Sequence, residues 1–226
     1  MMRTEGGRHE LKHFINRFDL QQLQLRLPYV MARDEHADAQ GGYRIRSLYF
    51  DNYSDRALRE KIDGVDNREK FRLRFYGDDT GFVRLEKKSK QGGMCFKQSS
   101  VISPEACRAL MNGDIEALRA GGDSLQLELY AKMRTQLLRP KNIVDYRRDA
   151  FVCRAGNVRV TLDYDMRASC HVKDFLNTEY ISIPLPDTAV LEVKYDHFLP
   201  EFIRGMVTLS GRQATAFSKY AAARIL

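Results

Sequence analysis

Arg72 and Arg74 stand two residues apart in the stretch REKFRLRFY, with Phe71, Leu73 and Phe75 in the alternate places. Successive side chains of a strand point to opposite faces, so both guanidiniums share one face and the apolar groups the other. The arrangement recurs along the chain. Glu10 and Lys12 share a face in RHELKHF, and Arg84, Glu86 and Lys88 do so opposite Val83 and Leu85. Arg159, Thr161 and Asp163 alternate with Val158, Val160 and Leu162, and Glu192 and Lys194 with Leu191, Val193 and Tyr195. Strand-borne cations in this number suit a chain of phosphates, because Arg grips phosphate oxygens bidentately and Lys adds a compact charge. Carboxylates among them repel such a ligand. They make sense as oxygen donors to Mg²⁺ or Mn²⁺ bridging phosphates, or as partners that hold neighbouring cations in place. For Glu86 beside Lys88 the second role is preferred.

Other chemistry lacks its pattern. His9, His13, His36, His171 and His197 have no metal-ligand spacing, and His9 and His13 lie in an alternating strand. Gly92-Gly93 reads as a turn, not a phosphate loop. Ser47, Ser210 and Ser218 have no nucleophile-elbow context. Cys95, Cys107, Cys153 and Cys170 form no C-x-x-C and read as reduced thiols. Phe71, Phe75 and Phe151 alternate as core residues, which argues against a nucleic-acid surface of interleaved aromatics and cations.

The elements that must position the charged faces follow from caps and breakers. A strand is expected over Arg8–Phe14, then a helix capped by Asp19 and ended by Pro28, a polar loop over 32–42, and a strand in GYRIRSLYFDN. Ser54 is expected to cap a short helix closed by Gly64. Arg68–Lys97 reads as two strands joined by one turn. Ser103-Pro104-Glu105 starts a helix that stops near Gly113, and Ser124–Leu138 forms a longer one before Pro140. The basic run Arg139–Lys141 reads as solvated. Strands follow in KNIVDYRRDAFVCR, NVRVTLDYD and TAVLEVKYD, and closing helices over Leu199–Leu209 and Gln213–Leu226. Seven or eight mostly sequential strands favour an α+β fold: an antiparallel sheet curled into an eight-stranded tunnel or barrel with helices packed outside.

The 226 residues, 43% hydrophobic and 30% charged, fit one folded domain spanning 1–226. With 37 Lys and Arg against 30 Asp and Glu, the net charge of +7 favours anionic partners. No signal-peptide core and no apolar run long enough for a membrane helix is present. The expectation is a cytoplasmic protein without direct membrane insertion, reaching a membrane only through a membrane-protein partner.

The ordered succession RHELKHFI, YRIRSLYFDN, REKFRLRFYG, FVRLEKKSKQGGMCFKQS, YRRDAFV, VRVTLDYDMR, AVLEVKYDHFLPEFI and AFSKYAAAR resembles the VTC-type polyphosphate polymerase domain. This is a branch of the triphosphate tunnel metalloenzymes, related to the CYTH domains. The resemblance covers nearly the whole chain. It implies an antiparallel β-tunnel of about eight strands and transfer of the γ-phosphate of ATP onto inorganic polyphosphate, with Mn²⁺ or Mg²⁺ as cofactor. Carried over by position, it implies catalytic roles for Lys12, Arg72, Arg74, Lys194 and Lys219 and phosphate binding by Lys88, Lys97, Arg148 and Arg159. It places the metal on Glu192, with Glu10 at the early acidic position. One departure is informative: the CYTH relatives open with E-x-E-x-K, whereas this chain reads Arg8-His9-Glu10-Leu11-Lys12. Arg8 at the first acidic place favours the VTC branch over a thiamine triphosphatase, tripolyphosphatase or cyclase. The chain also lacks the SPX domain and membrane spans of the eukaryotic subunits, so a stand-alone domain of the prokaryotic sort is expected. Two other functions fit the same cations: a non-catalytic polyphosphate- or nucleotide-binding subunit, and a tunnel-type triphosphatase.

Overall fold

Every charged strand alternates with an apolar face, and the chain satisfies both by curling one sheet. The computed structural model describes residues 9–185, 189–209, 211 and 217–224. Its strands are β1 (His9–Ile15), β2 (Ala32–Arg33), β3 (Tyr43–Asp51), β4 (Arg68–Tyr76), β5 (Val83–Gln91), β6 (Met94–Ile102), β7 (Arg139–Cys153), β8 (Val158–Ser169), β9 (Ile183–Pro184) and β10 (Ala189–Tyr195). The helices are α1 (Arg17–Arg26), α2 (Arg56–Ile62), α3 (Pro104–Met111), α4 (Ala117–Ala120), α5 (Ser124–Thr135), α6 (Glu201–Val207) and α7 (Lys219–Ala222).

Eight strands follow one antiparallel path, β1-β10-β8-β7-β3-β4-β5-β6, with β2 and β9 added beside β7 and β8. The expected α+β architecture and strand number hold. Among the described residues no strand pairing joins the edges β1 and β6, so the sheet is a curled half-barrel rather than a cylinder closed by hydrogen bonds.

Alternation divides the residues as the sequence requires. On the outer face Leu48, Phe71, Leu73, Phe75, Val83 and Leu85 pack beneath α3, α4 and α5. Further round, Phe151, Val160, Leu162, Leu191 and Val193 pack beneath α1 and α6. The inner face carries the charges and, at one end, an apolar floor of Tyr43, Ile45, Tyr49, Tyr146, Val190 and Tyr220.

Several local expectations need correction. The Arg68–Lys97 stretch is not two strands but the start of three, because Gly92 (φ +57°) and Gly93 (φ +80°) make a two-residue hairpin turn into β6. The cap of α1 is Asn16, with Asp19 completing a capping box at the third helical position. Ser54 does not cap α2; Asp55 occupies that place with φ +53° and no capping bond. The carboxylate of Asp51 instead accepts from the Ala57 and Leu58 amides, at 2.9 and 3.1 Å. Ser103 caps α3 as expected. α5 stops at Thr135, and α6 and α7 are shorter than the closing helices expected. Lys141 is not simply solvated: it is half-buried and lies 3.5 Å from Asp55. Arg8, Thr188, Ser210 and positions 213–216 and 225–226 of the expected last helix lie outside the described residues.

Candidate functional site

The inner face of the sheet encloses a cavity of about 610 Å³, large enough for an elongated ligand. All eleven residues assigned from the sequence line it: Glu10, Lys12, Arg72, Arg74, Lys88, Lys97, Arg148, Arg159, Glu192, Lys194 and Lys219. They come from seven different strands and α7, and both unpaired edges contribute, so the curl of the sheet is what brings them together.

Most of the cations are held by a carboxylate or a hydroxyl. Glu86 is fully buried and binds Arg72 at 2.5 Å and Lys97 at 2.8 Å, with Arg74 at 4.0 Å. Burial opposes its charge, but Arg72 and Arg74 outweigh that and hold its carboxyl well below the ordinary range. Arg74 also donates to Ser47 Oγ at 3.0 Å and to the Tyr146 hydroxyl at 3.3 Å. Arg148 forks onto Asp163 at 2.6 and 2.8 Å, and Lys219 reaches the same carboxylate at 2.5 Å. Arg159 sits on Asp34, at 2.6 Å, and donates to the Tyr43 hydroxyl at 3.0 Å. These contacts fix the cations with their remaining N–H groups available to the cavity.

The second carboxylate group lies on the neighbouring strands β1 and β10. Lys12 pairs with Glu192 in the register and Glu10 with Lys194. Glu192 binds Lys194 at 2.5 Å and lies 3.9 Å from Lys12; Glu10 contacts Lys12 closely and lies 3.9 Å from Lys194. Burial pushes the Glu192 carboxyl up, yet Lys194 and Lys12 draw it well below the ordinary range. Among the described residues no cluster of three or more His, Cys, Asp or Glu side chains is arranged to hold a metal. The donor set therefore fits a hard cation that takes one or two carboxylates and completes its shell with phosphate and water oxygens, which is how Mg²⁺ and Mn²⁺ commonly bind. It does not fit an all-protein metal cage.

Sequence reasoning missed several cavity residues. Lys70 continues the alternation of Arg72 and Arg74 by one step and was there to be found. Lys61 comes from α2, and Tyr49, Tyr146 and Tyr220 from apolar-looking stretches; Asp34, which holds Arg159, comes from a polar loop outside the cavity lining. Nothing in local spacing marks these. Tyr49 is buried beneath the cations: burial raises its phenol, but Arg72, Lys70 and Arg74 bring it down to about 7.

With this geometry in place, the comparisons are decisive on family. A model of the VTC domain matches residues 7–226. The chain belongs to the VTC domain family. No curated protein is significantly similar in sequence. Among solved structures, the VTC domain resembles an adenylyl cyclase candidate from Hippeastrum described as revealing a dominant triphosphatase activity (13% identity, TM-score 0.57, 96% of this chain and 95% of that one). It also resembles an adenylate cyclase candidate from Bacillus halodurans (13% identity, TM-score 0.51, 85% and 82%). A third is a protein from Pyrococcus horikoshii (12% identity, TM-score 0.50, 94% and 96%). At such identities these likenesses speak to the fold. Family and fold together carry a tunnel-type, phosphoryl-related function and the divalent metal that goes with it. No helix among the described residues is long and apolar enough to cross a membrane.

Proposed function

We propose that this VTC domain is a polyphosphate polymerase that transfers the γ-phosphate of ATP onto a growing inorganic polyphosphate chain. The observation that carries the reading is the convergence, in one cavity, of nine assigned cations with the Glu10–Glu192 pair. Phosphoryl transfer needs little covalent help, so positioning and charge neutralisation do most of the catalysis.

In this reading Arg72, Arg74, Lys88 and Arg159 hold the triphosphate, with Glu86 and Asp34 fixing the orientation of their guanidiniums. Arg148, locked on Asp163, clamps the phosphate tail, and Lys97 adds charge from β6. Lys12, Lys194 and Lys219 stand at the transferring and departing groups, where negative charge moves. Glu192, helped by Glu10, would hold the divalent ion, which would supply positive charge against the phosphates. Lys12 and Lys194 supply positive charge to the two carboxylates, and an arriving phosphate gives these ammonium groups anionic partners of their own. No general base is required, because the attacking phosphate oxygen is already ionised.

Two further readings share the cations. A tunnel triphosphatase, in keeping with the activity described for the Hippeastrum protein, would release orthophosphate without elongation. A binding subunit would keep polyphosphate affinity without chemistry. Incubation with ATP and Mn²⁺ or Mg²⁺, followed by gel separation of the products, distinguishes them. A ladder of polyphosphate is expected, and Glu192→Ala is expected to lose about 100-fold or more in turnover while keeping polyphosphate binding. A binding subunit would be indifferent to that substitution.

A further inference from the structure

On the charged inner face of β8, Thr161 carries a hydroxyl that makes no hydrogen bond among the described residues. It lies between Arg159 and Asp163 in the alternation and is 4% exposed. Both flanking residues are committed elsewhere, Arg159 to Asp34 and the Tyr43 hydroxyl, Asp163 to Arg148 and Lys219. Across the sheet Thr161 pairs with Ala150 of β7 on one side and with Glu192 of β10 on the other. Ala150 has no side-chain acceptor; Glu192 has a carboxylate. Directly opposed Cβ atoms stand ~4.5–5.5 Å apart, which puts the hydroxyl beside the Glu192 side chain.

A buried hydroxyl without a partner costs about 1–3 kcal/mol, and folded proteins leave few of them. Valine has the same shape and carries no such cost, so the oxygen at this position asks for an acceptor. One oxygen of Glu192 is taken by Lys194 at 2.5 Å; the other has Lys12 at 3.9 Å, beyond hydrogen-bond length. When phosphate oxygens engage both lysines, Glu192 has no donor from either. A carboxylate that holds a cation needs a hydrogen bond from its surroundings to fix its orientation. A neutral hydroxyl gives that bond without the repulsion an ammonium exerts on a divalent ion. Thr161 does not line the cavity, so it acts through Glu192 and not on the phosphates.

We propose that Thr161 is a positioning residue of the Glu192 centre: its hydroxyl donates to the Glu192 carboxylate and holds it in the orientation that receives the divalent ion. This rests on reading Glu192 as the metal-binding carboxylate of a phosphoryl-transfer site.

The test is a Mn²⁺ titration of the full chain with tripolyphosphate present, followed by water-proton relaxation, which rises when the ion joins the protein. Thr161→Val keeps the shape and loses the donor; Thr161→Ser keeps the donor. Thr161→Val is expected to weaken the apparent Mn²⁺ affinity about tenfold, and Thr161→Ser to retain it within about twofold. Calorimetric binding of tripolyphosphate without metal is expected to stay within about twofold in both variants, which also reports that they are folded. Thr161→Val is expected to melt no lower than the parent, because it removes an orphan hydroxyl. Undiminished Mn²⁺ affinity in Thr161→Val, an equal loss in Thr161→Ser, or a matching loss of metal-free tripolyphosphate binding overturns the inference while leaving Glu192 as the ligand. A parent protein that takes up no Mn²⁺, or a Glu192→Gln variant that takes it up as the parent does, overturns the metal assignment and the inference with it.

Discussion

Glu86 shows how one residue type can carry opposite meanings. Its place between Arg84 and Lys88 on a strand face allowed a metal ligand, but its buried carboxylate is spent on Arg72 and Lys97. Removing one partner of a buried pair leaves the others uncompensated. Glu86→Gln is expected to cost about 3 kcal/mol of stability, read by chemical denaturation. Added tripolyphosphate should raise the melting temperature of this variant more than that of the parent, because the ligand replaces the missing anion. An unchanged denaturation midpoint would remove Glu86 from its organising role. The same logic was partly legible beforehand, since i and i+2 alternation puts Arg72, Arg74 and Glu86 on one face. What spacing could not reveal is which cations would find carboxylates and which would not. Asp163 and Asp34 reach Arg148 and Arg159 from other parts of the chain, and only the folded sheet brings them near.

Among the elements, α7 is the shortest helix with a placed cation, and its position depends on a contact made far away in sequence. Ser218 caps it, and the Tyr220 hydroxyl donates to Asp51 at 2.7 Å. Asp51 is buried at the end of β3 and also caps α2, so one carboxylate ties the strand, α2 and α7 together. Lys219, the neighbour of Tyr220, is thereby held on Asp163. Tyr220→Phe is expected to lower stability by about 1–2 kcal/mol and to weaken tripolyphosphate binding several-fold through misplacement of Lys219, with melting and calorimetry as the readouts. Strand elements were the most legible, because period-2 alternation is strong in β3, β4, β5, β8 and β10. Caps were less so: Asp19 and Ser54 look like caps by residue type, but the backbone selects Asn16 for α1, and Asp51 reaches α2 from outside the helix. β6 was obscured because its exposed, polar face resembles a loop until Gly92 and Gly93 are recognised as a hairpin turn.

At the scale of the molecule, the half-barrel concentrates positive charge on its inner face and is tuned by pH near neutrality. Tyr49 lies at about 7 and Lys70 at about 8, against ordinary values of 10.0 and 10.5. The folded values are the lower ones, so between about pH 7 and 10 the unfolded chain carries more protons and the native state gains stability as pH rises. The stabilisation given by tripolyphosphate should shrink over the same window, as Tyr49 becomes an anion beside Arg72 and Arg74. Melting curves across pH 6–10 ± ligand check both trends, and parallel curves would contradict them. Glu86, Glu192 and Asp163 act in the same sense in a lower window: their folded values are also depressed, so their contribution is present above the ordinary carboxylate range and is lost in acid. The most direct measurement of the central claim is the product of purified protein with ATP and a divalent metal, resolved on a gel. A ladder of inorganic polyphosphate is predicted; tripolyphosphate binding without any polymer, or release of orthophosphate alone, would contradict it.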